Sequence, residues 1–421
     1  MKVQLAYGTG YLDVELPPHT TVITPSEQEG LADEKQSLLA ALDSPIGSPS
    51  LRDQLQPGST ICIVFTDITR STPNERLIPW ILDYLASCGV RNEQITLLNA
   101  LGTHRPNTRE QLCTLLTPHV VDNYRVLNHE PENPAAHVQF GVTSTGAPAL
   151  INKHLAQADV RIITGFIEPH FFAGFSGGPK GIMPGVAALE TVISNHGRRN
   201  IGSPNAAFGI TTGNPIWEEM RDIALRIGTS FLVNVTLNEH KAITGIFAGD
   251  LIAAHEAGFE FVRASAMQPV PEPFDIVITT NSGYPLDQNL YQAVKGMSAA
   301  ARIVRQGGAI IIAAECSQGL PEGSPFDQLL RKAKDPEDIL ALIARESYAE
   351  QWQAQIQALI QRKASIYIYS SLPAPVVRAA HLQPCEDIAA TVEKLCAHIN
   401  GTPRIAALPQ GPLTIPYLPR Q

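Results

Sequence analysis

The run STICIVFTDITRSTPNERLIPWILDYLASCG, residues 59–89, decides the fold class. Its first nine residues, 59–67, are apolar and rich in β-branched side chains, the composition of a strand buried on both faces. A helix is expected next. Ser71 or Thr72 can cap it, Pro73 suits its first turn, Leu77, Ile78, Ile81, Leu82 and Leu85 line one side, and Gly89 closes it. Two further apolar strands follow, ITLLNALGTH at 95–104 and VRIITGFIEPH at 160–170. Strands alternating with helices imply a parallel sheet covered on both faces. The polar motifs TDITR, GTHR and EPH each arrive where one of these strands ends. Ligands of open α/β sheets bind at the carboxyl ends of strands, so the three motifs are expected to meet in one crevice.

A second α/β unit is expected beyond AMQPVPEP, residues 266–273, whose three prolines suit a linker. It reads as strand 274–280, helix 286–304, strand 307–316 and, after further helical stretches, strand 365–372. The architecture is therefore α/β, with two parallel-rich domains, residues 1–268 and 269–421, and an active-site cleft between them. The proline-rich tail, PQGPLTIPYLPRQ, is expected to lie extended along the surface.

Composition narrows the function. A net charge of -9 with no basic run argues against nucleic acid as a partner. The N-terminal residues lack the apolar core of a signal peptide, and no stretch is long enough to span a bilayer. Cys62, Cys88, Cys113, Cys316, Cys385 and Cys396 form no CxxC pair and suit free thiols in a reducing cytoplasm.

The chemistry concentrates in EPHFFAGFSGGPKGIMPGVAALETVISNH, residues 168–196. Ser176, Gly177 and Gly178 can turn their N–H groups toward one point, an anion nest at the front of a helix. Lys180 beside them is a compact cation whose amine can also act as a nucleophile. His170 and His196 bracket the loop as candidate base, acid or metal ligand. Such a segment is expected to hold a cofactor. Asp67 and Arg70 follow the first strand, where the guanidinium fork suits a carboxylate or phosphate; a local ion pair capping the helix fits the spacing equally. His104 ends the GTH turn. Tyr291, Gln292 and Lys295 share one helix flank beside a buried stripe of Leu290, Val294, Met297 and Ala301, which an ordinary solvated flank would also explain. His129 and His137 with Glu130 and Glu132 form a loose cluster without helical metal-ligand register. No GxGxxG follows the first strand and no GxxxxGK[ST] occurs, so nicotinamide-nucleotide and P-loop readings lack support.

Taken together, TDITRSTP, LGTHRP, EPHFFAGFSGGPKGIMPG, the ISNH end and LYQAVKG resemble the lactate racemase family of nickel-pincer enzymes, in the family's order from residue 66 to 296. The resemblance implies a nickel-pincer nucleotide, a pyridinium-dithiocarboxylate mononucleotide joined by a thioamide to Lys180, with His196 as the protein's ligand to nickel. It implies His104 and His170 as acid and base, and Arg70, Tyr291, Gln292 and Lys295 around the substrate and cofactor. Asp67, Ser176, Gly177 and Gly178 would position the cofactor. The substrate would be a 2-hydroxy acid, lactate by default, and other proteins would have to make the cofactor. The loop here reads SGGPKG, and the proline stiffens the approach to Lys180.

The residue types suit that implication. Square-planar nickel in a tridentate pincer needs one protein ligand, which an imidazole supplies. The C–H of a 2-hydroxy acid is barely acidic, so inversion by hydride transfer through a 2-keto acid, with two histidines handling the hydroxyl proton, avoids direct deprotonation. Arg70 would anchor the carboxylate. Phe171 and Phe172 are expected to border the substrate and set its side-chain preference. Two alternatives stay open: a simple divalent-metal enzyme on a carboxylated or phosphorylated substrate, and a non-catalytic carrier of the nickel cofactor. A carrier would need Lys180 and His196 but neither His104 nor His170.

Overall fold

The computed structural model describes residues 1–26, 28–348 and 350–419. The chain divides into two compact units. The first comprises Glu27–His196 and Ile210–Ala264, the second Met1–Ser26, Gly197–Gly209 and Ser265–Gln421. A single break at 268/269 does not describe this division, because the first residues of the chain pair with the last sheet. Sequence-local cues such as the proline cluster cannot register a pairing between residues so far apart.

The first unit is built on a six-stranded sheet. Its strands are β1 (Ile61–Thr66), β2 (Ile95–Ala100), β3 (Arg125–Asn128), β4 (Val160–Phe166), β5 (Phe231–Leu237) and β6 (Ile243–Asp250), in the order β6-β5-β4-β1-β2-β3. All pairings are parallel except β5 with β6. The helix α1 (Asn74–Ser87) covers one face. Its Leu77, Ile78, Ile81, Leu82 and Leu85 are buried against Ile63 and Phe65 in one core. The expected cap differs: Pro73 takes the cap position, without a side-chain capping bond. Instead Asn74 Nδ2 donates to the Thr66 carbonyl at 3.0 Å, tying the helix start to the end of β1. The loop between them, which carries Asp67 and Arg70, is thereby pinned at both ends.

The second unit has six parallel strands. β7 (Phe274–Thr280), β8 (Val304–Ala313), β9 (Ala364–Tyr369), β10 (Gln383–Pro384) and β11 (Ile405–Leu408) join the short strand Thr21–Val22 in the order β10-β9-β8-β7-β11-Thr21–Val22. The linker and the tail are not as expected. Met267–Pro269 pairs in parallel with Ile415–Tyr417, and Ile415 is fully buried. Each segment looks structureless alone because prolines suppress local signals, and each finds its hydrogen bonds in the other. The last two residues of the tail, Arg420 and Gln421, lie outside the described residues. All six cysteines are free thiols. Among the described residues no helix is long and apolar enough to cross a membrane.

Candidate active site

From β1 the chain moves outward to β2 and β3 on one side and to β4, β5 and β6 on the other. This makes the β4-β1-β2 edge the place where strand order reverses, the position at which such sheets leave a crevice. The three polar motifs leave from those three neighbouring strands. Asp67 follows β1, His104 follows β2 and His170 follows β4. The structure thus brings side by side what the sequence places 37 and 66 residues apart (104 − 67 and 170 − 104).

Asp67 is 2% exposed and accepts from the Thr69 hydroxyl at 2.9 Å. Its Oδ2 lies 2.8 Å from His104 Nδ1, and Arg70 Nε stands 4.0 Å from Oδ1. Burial alone would raise the Asp67 carboxyl pKa. The His104 hydrogen bond, the Arg70 and His104 charges and the Thr69 hydroxyl outweigh it, so the pKa falls below the ordinary value. An ionised carboxylate only accepts, so His104 donates through Nδ1–H, and in the neutral ring Nε2 carries the lone pair. Asp67 therefore fixes the orientation of the His104 ring.

The Ser-Gly-Gly loop does not form the expected nest. Ser176 N–H donates to the Glu168 carbonyl at 2.9 Å, and Gly178 N–H donates to Asn234 Oδ1 at 2.7 Å. Two of the three donors are spent inside the protein. The loop leads into a single 3₁₀ turn, Gly178–Gly181, too short to project a helix dipole. It is a scaffold that carries Lys180. Gly177 and Gly178 have φ of 75° and 54°, and His255 packs beneath, donating from Nε2 to the Ser176 carbonyl at 2.9 Å.

Four side chains converge on the Phe172 ring. His170 lies 4.5 Å and His196 4.9 Å from it by ring centroids, and Lys180 Nζ is 5.7 Å from its centre. Phe171 packs edge-on at 4.6 Å. His196 follows α2 (Leu189–Asn195), which packs against α3 (Pro215–Arg226), and is 4% exposed. Burial first, and then the Lys180 charge, hold its pKa well below the ordinary histidine value, so the ring is neutral. His196 Nδ1 lies 2.9 Å from Asn195 Oδ1. Ala173 N–H donates to His170 Nδ1 at 3.2 Å, so a neutral His170 carries its proton on Nε2.

Tyr291, Gln292 and Lys295 stand half-buried on α4 (Leu290–Ala301) of the second unit, beside the buried Leu290, Val294 and Met297. The Tyr291 hydroxyl accepts from Trp352 Nε1 at 3.1 Å. His129 is a structural core histidine: Nε2 donates to the Ala187 carbonyl, Nδ1 accepts from Asn152, and burial pushes its pKa down to about 4. Among the described residues no three His, Cys, Asp or Glu side chains gather as a metal cage.

The profile described as the lactate racemase N-terminal domain matches residues 7–209, and that of the lactate racemase C-terminal domain matches residues 270–415. The chain belongs to the lactate racemase family. It is an isomerase of the racemase class. A lactate racemase of Lactiplantibacillus plantarum is 36% identical over 90% of this chain and 90% of its own length. That of Thermoanaerobacterium thermosaccharolyticum is 34% identical over 97% of each. The structure of the latter's apoprotein superposes with a TM-score of 0.93 at 33% identity, covering 100% of both chains. A Thermotoga maritima protein shares the fold alone, with a TM-score of 0.69 at 18% identity over 94% of this chain and 100% of its own.

Set within the lactate racemase family, the motif residues of the first unit converge in two groups, Asp67–Arg70–His104 and His170–Phe172–Lys180–His196. Sequence reasoning missed Asn195, Glu219, Asn234 and His255. Their partners lie far along the chain or show no pattern, as with Gly178 and Asn234, 56 residues apart.

Proposed function

We propose that this racemase inverts a 2-hydroxy acid, with lactate the first substrate to test, using a nickel-pincer nucleotide tethered to Lys180. The observation that carries the reading is the convergence of Lys180, His170 and a buried neutral His196 on one ring, Phe172. The donor set fits the cofactor. His196 is a single oriented imidazole with no cage of further His, Cys or carboxylate ligands among the described residues. A metal bound by protein alone would be under-coordinated there, whereas one that brings three donors of its own needs only one more. The same observation weighs against the simple divalent-metal alternative.

When bound, the group would supply the acceptor and donor of hydride for the substrate carbon. The chain's own part is proton handling and orientation. His104 Nε2 takes the hydroxyl proton while Asp67 stabilises the imidazolium that results. The flat 2-keto acid is held by its carboxylate on Arg70. On the opposite side of the substrate, His170 in its protonated form would give one proton to the oxygen. One proton is taken and another given, so the product has the substrate's composition with the centre inverted, and His104 must pass its proton on and His170 regain one before the next turnover. Protonating His170 on Nδ1 gives up the 3.2 Å bond from Ala173, which costs about 1 kcal/mol. The reverse reaction exchanges the two roles. Ser176, Gly177 and Gly178 shape the loop that presents Lys180.

The test is peptide-level mass spectrometry and nickel analysis on protein made in a host that synthesises the cofactor. An adduct on Lys180, nickel lost in His196→Ala, and interconversion of L- and D-lactate are expected. An unmodified Lys180 from that host would remove the pincer and the hydride route together. Loss of racemisation in His104→Ala and His170→Ala, with the adduct retained, separates an enzyme from a cofactor carrier.

A further inference from the structure

Asn195 is the last residue of α2 and His196 follows it directly; both are buried. Asn195 Nδ2 donates to Glu219 Oε2 at 2.8 Å and to the Ile216 carbonyl at 3.2 Å. A carboxylate and a carbonyl only accept, so the amide can sit one way round, nitrogen toward α3 and Oδ1 toward His196. That Oδ1 stands 2.9 Å from His196 Nδ1. An amide oxygen cannot donate, so the hydrogen of the contact belongs to Nδ1. A neutral imidazole has one N–H, and the lone pair is left on Nε2. Glu219 is itself 8% exposed, and its other oxygen accepts from the Ser144 N–H, so the carboxylate is held at both oxygens.

We infer that Glu219 and Asn195 are positioning residues that select the Nδ1–H tautomer of His196 and aim Nε2 as a metal ligand. The inference rests on the proposed role of His196 as the nickel ligand. A carboxylate behind the amide strengthens Oδ1 as an acceptor, and the bond from Nδ1–H in turn raises the basicity of Nε2. Orientation matters equally, because a ring held at Nδ1 cannot spin its lone pair away from the metal. None of this is visible in the SNH motif, since the carboxylate that anchors it lies on another helix, 24 residues from Asn195.

Glu219→Gln and Asn195→Ala test the inference by different routes. The glutamine keeps the shape but offers one oxygen to two donors, Ser144 N–H and Asn195 Nδ2. Turning Asn195 over relieves the conflict at residue 219, at the loss of the 3.2 Å bond to the Ile216 carbonyl, and faces His196 with the amide nitrogen. The ring proton then moves to Nε2. The alanine removes the acceptor and adds no donor. The first readout needs no cofactor: long-range ¹⁵N–¹H correlation on cofactor-free, histidine-labelled protein, with circular dichroism to confirm folding. The Nδ1–H tautomer is expected in the wild type and its loss in both variants. A wild-type ring protonated on Nε2, or an unchanged tautomer in both variants, overturns the inference.

The second readout is nickel per protein in the cofactor-making host. Both variants are expected to keep the Lys180 adduct while nickel retention under chelator falls roughly 10- to 100-fold. Wild-type nickel retention in both, despite a switched tautomer, overturns the aiming role. Absence of adduct and nickel in the wild type sinks the functional proposal instead, and leaves the tautomer result to stand by itself. If one variant fails to fold, the other carries both measurements.

Discussion

A carboxylate as deeply buried as Asp67 persists as an anion only because its lone pairs are used, by His104, Thr69 and the nearby Arg70. Asp67→Asn keeps the volume but can turn an amide N–H toward His104 Nδ1. The lone pair then sits on Nδ1 and the proton on Nε2, the wrong tautomer for the base proposed above. We expect kcat for racemisation to fall on the order of 10²- to 10⁴-fold, with the melting temperature little changed and the Lys180 adduct intact. A loss of only a few-fold would remove Asp67 from the catalytic apparatus. Asp67, His104 and His170 were legible in the sequence because each follows an apolar strand, and strand ends are where α/β sheets bind ligands. Their shared edge was not legible, because strand order depends on pairings that no local pattern records. Asn195 and Glu219 were silent for a related reason: an asparagine at a helix end and a glutamate within a helix are unremarkable until the fold opposes them.

The loop from Ser176 to Gly181 shows how an element can keep its position and change its reading. Glycines beside a lysine suggest N–H groups waiting for a phosphate, yet Asn234 and the Glu168 carbonyl take two of those donors. The glycines serve backbone shape. At Gly178 an added Cβ would lie 2.4 Å from His255 Cγ, at a φ of 54°. At Gly58, with a φ of 86°, nothing stands within 4 Å of that position. Gly58→Ala isolates the conformational strain, about 1–2 kcal/mol, whereas Gly178→Ala adds overpacking of about 1–3 kcal/mol. Thermal or urea unfolding of the two variants should therefore show the larger loss for Gly178→Ala, and only that variant should lower Lys180 adduct occupancy. Equal losses with normal occupancy in both would mean that His255 does not support the loop. The Tyr291–Gln292–Lys295 flank was legible as a flank, from i+3 and i+4 spacing beside an apolar stripe. The same spacing cannot distinguish a substrate contact from a solvated surface.

Each unit of the molecule has its own sheet and core, but the chain does not divide between them at one point, since strand Thr21–Val22 pairs with β11. The alternation of strands and helices revealed the class; the interleaving came from contacts between distant residues. The division has a consequence for acid stability. The histidines whose pKa is lowered first of all by burial, His129, His137, His154, His196 and His255, all lie in the first unit. For His129 and His255 the folded value is about 4, against about 6.5 unfolded. The unfolded chain therefore binds protons in that window that the folded chain refuses. Stability contributed by these neutral rings is complete above pH 6.5, declines as pH falls, and is gone below about 4; each of the two is worth on the order of 3 kcal/mol. Asp67 acts in a lower window, because its depressed pKa keeps its contribution until pH falls below the ordinary carboxylate range. Native-state amide exchange, corrected for intrinsic rates, should show protection in β1 and β4 falling between pH 6.5 and 4.5 faster than in β7 and β8. His129→Gln, which retains an N–H for the Ala187 carbonyl without a titrating ring, should flatten that decline by its own share. Parallel loss of protection in both sheets would trace the acid response to carboxylates spread over the whole molecule rather than to the buried histidines of one unit.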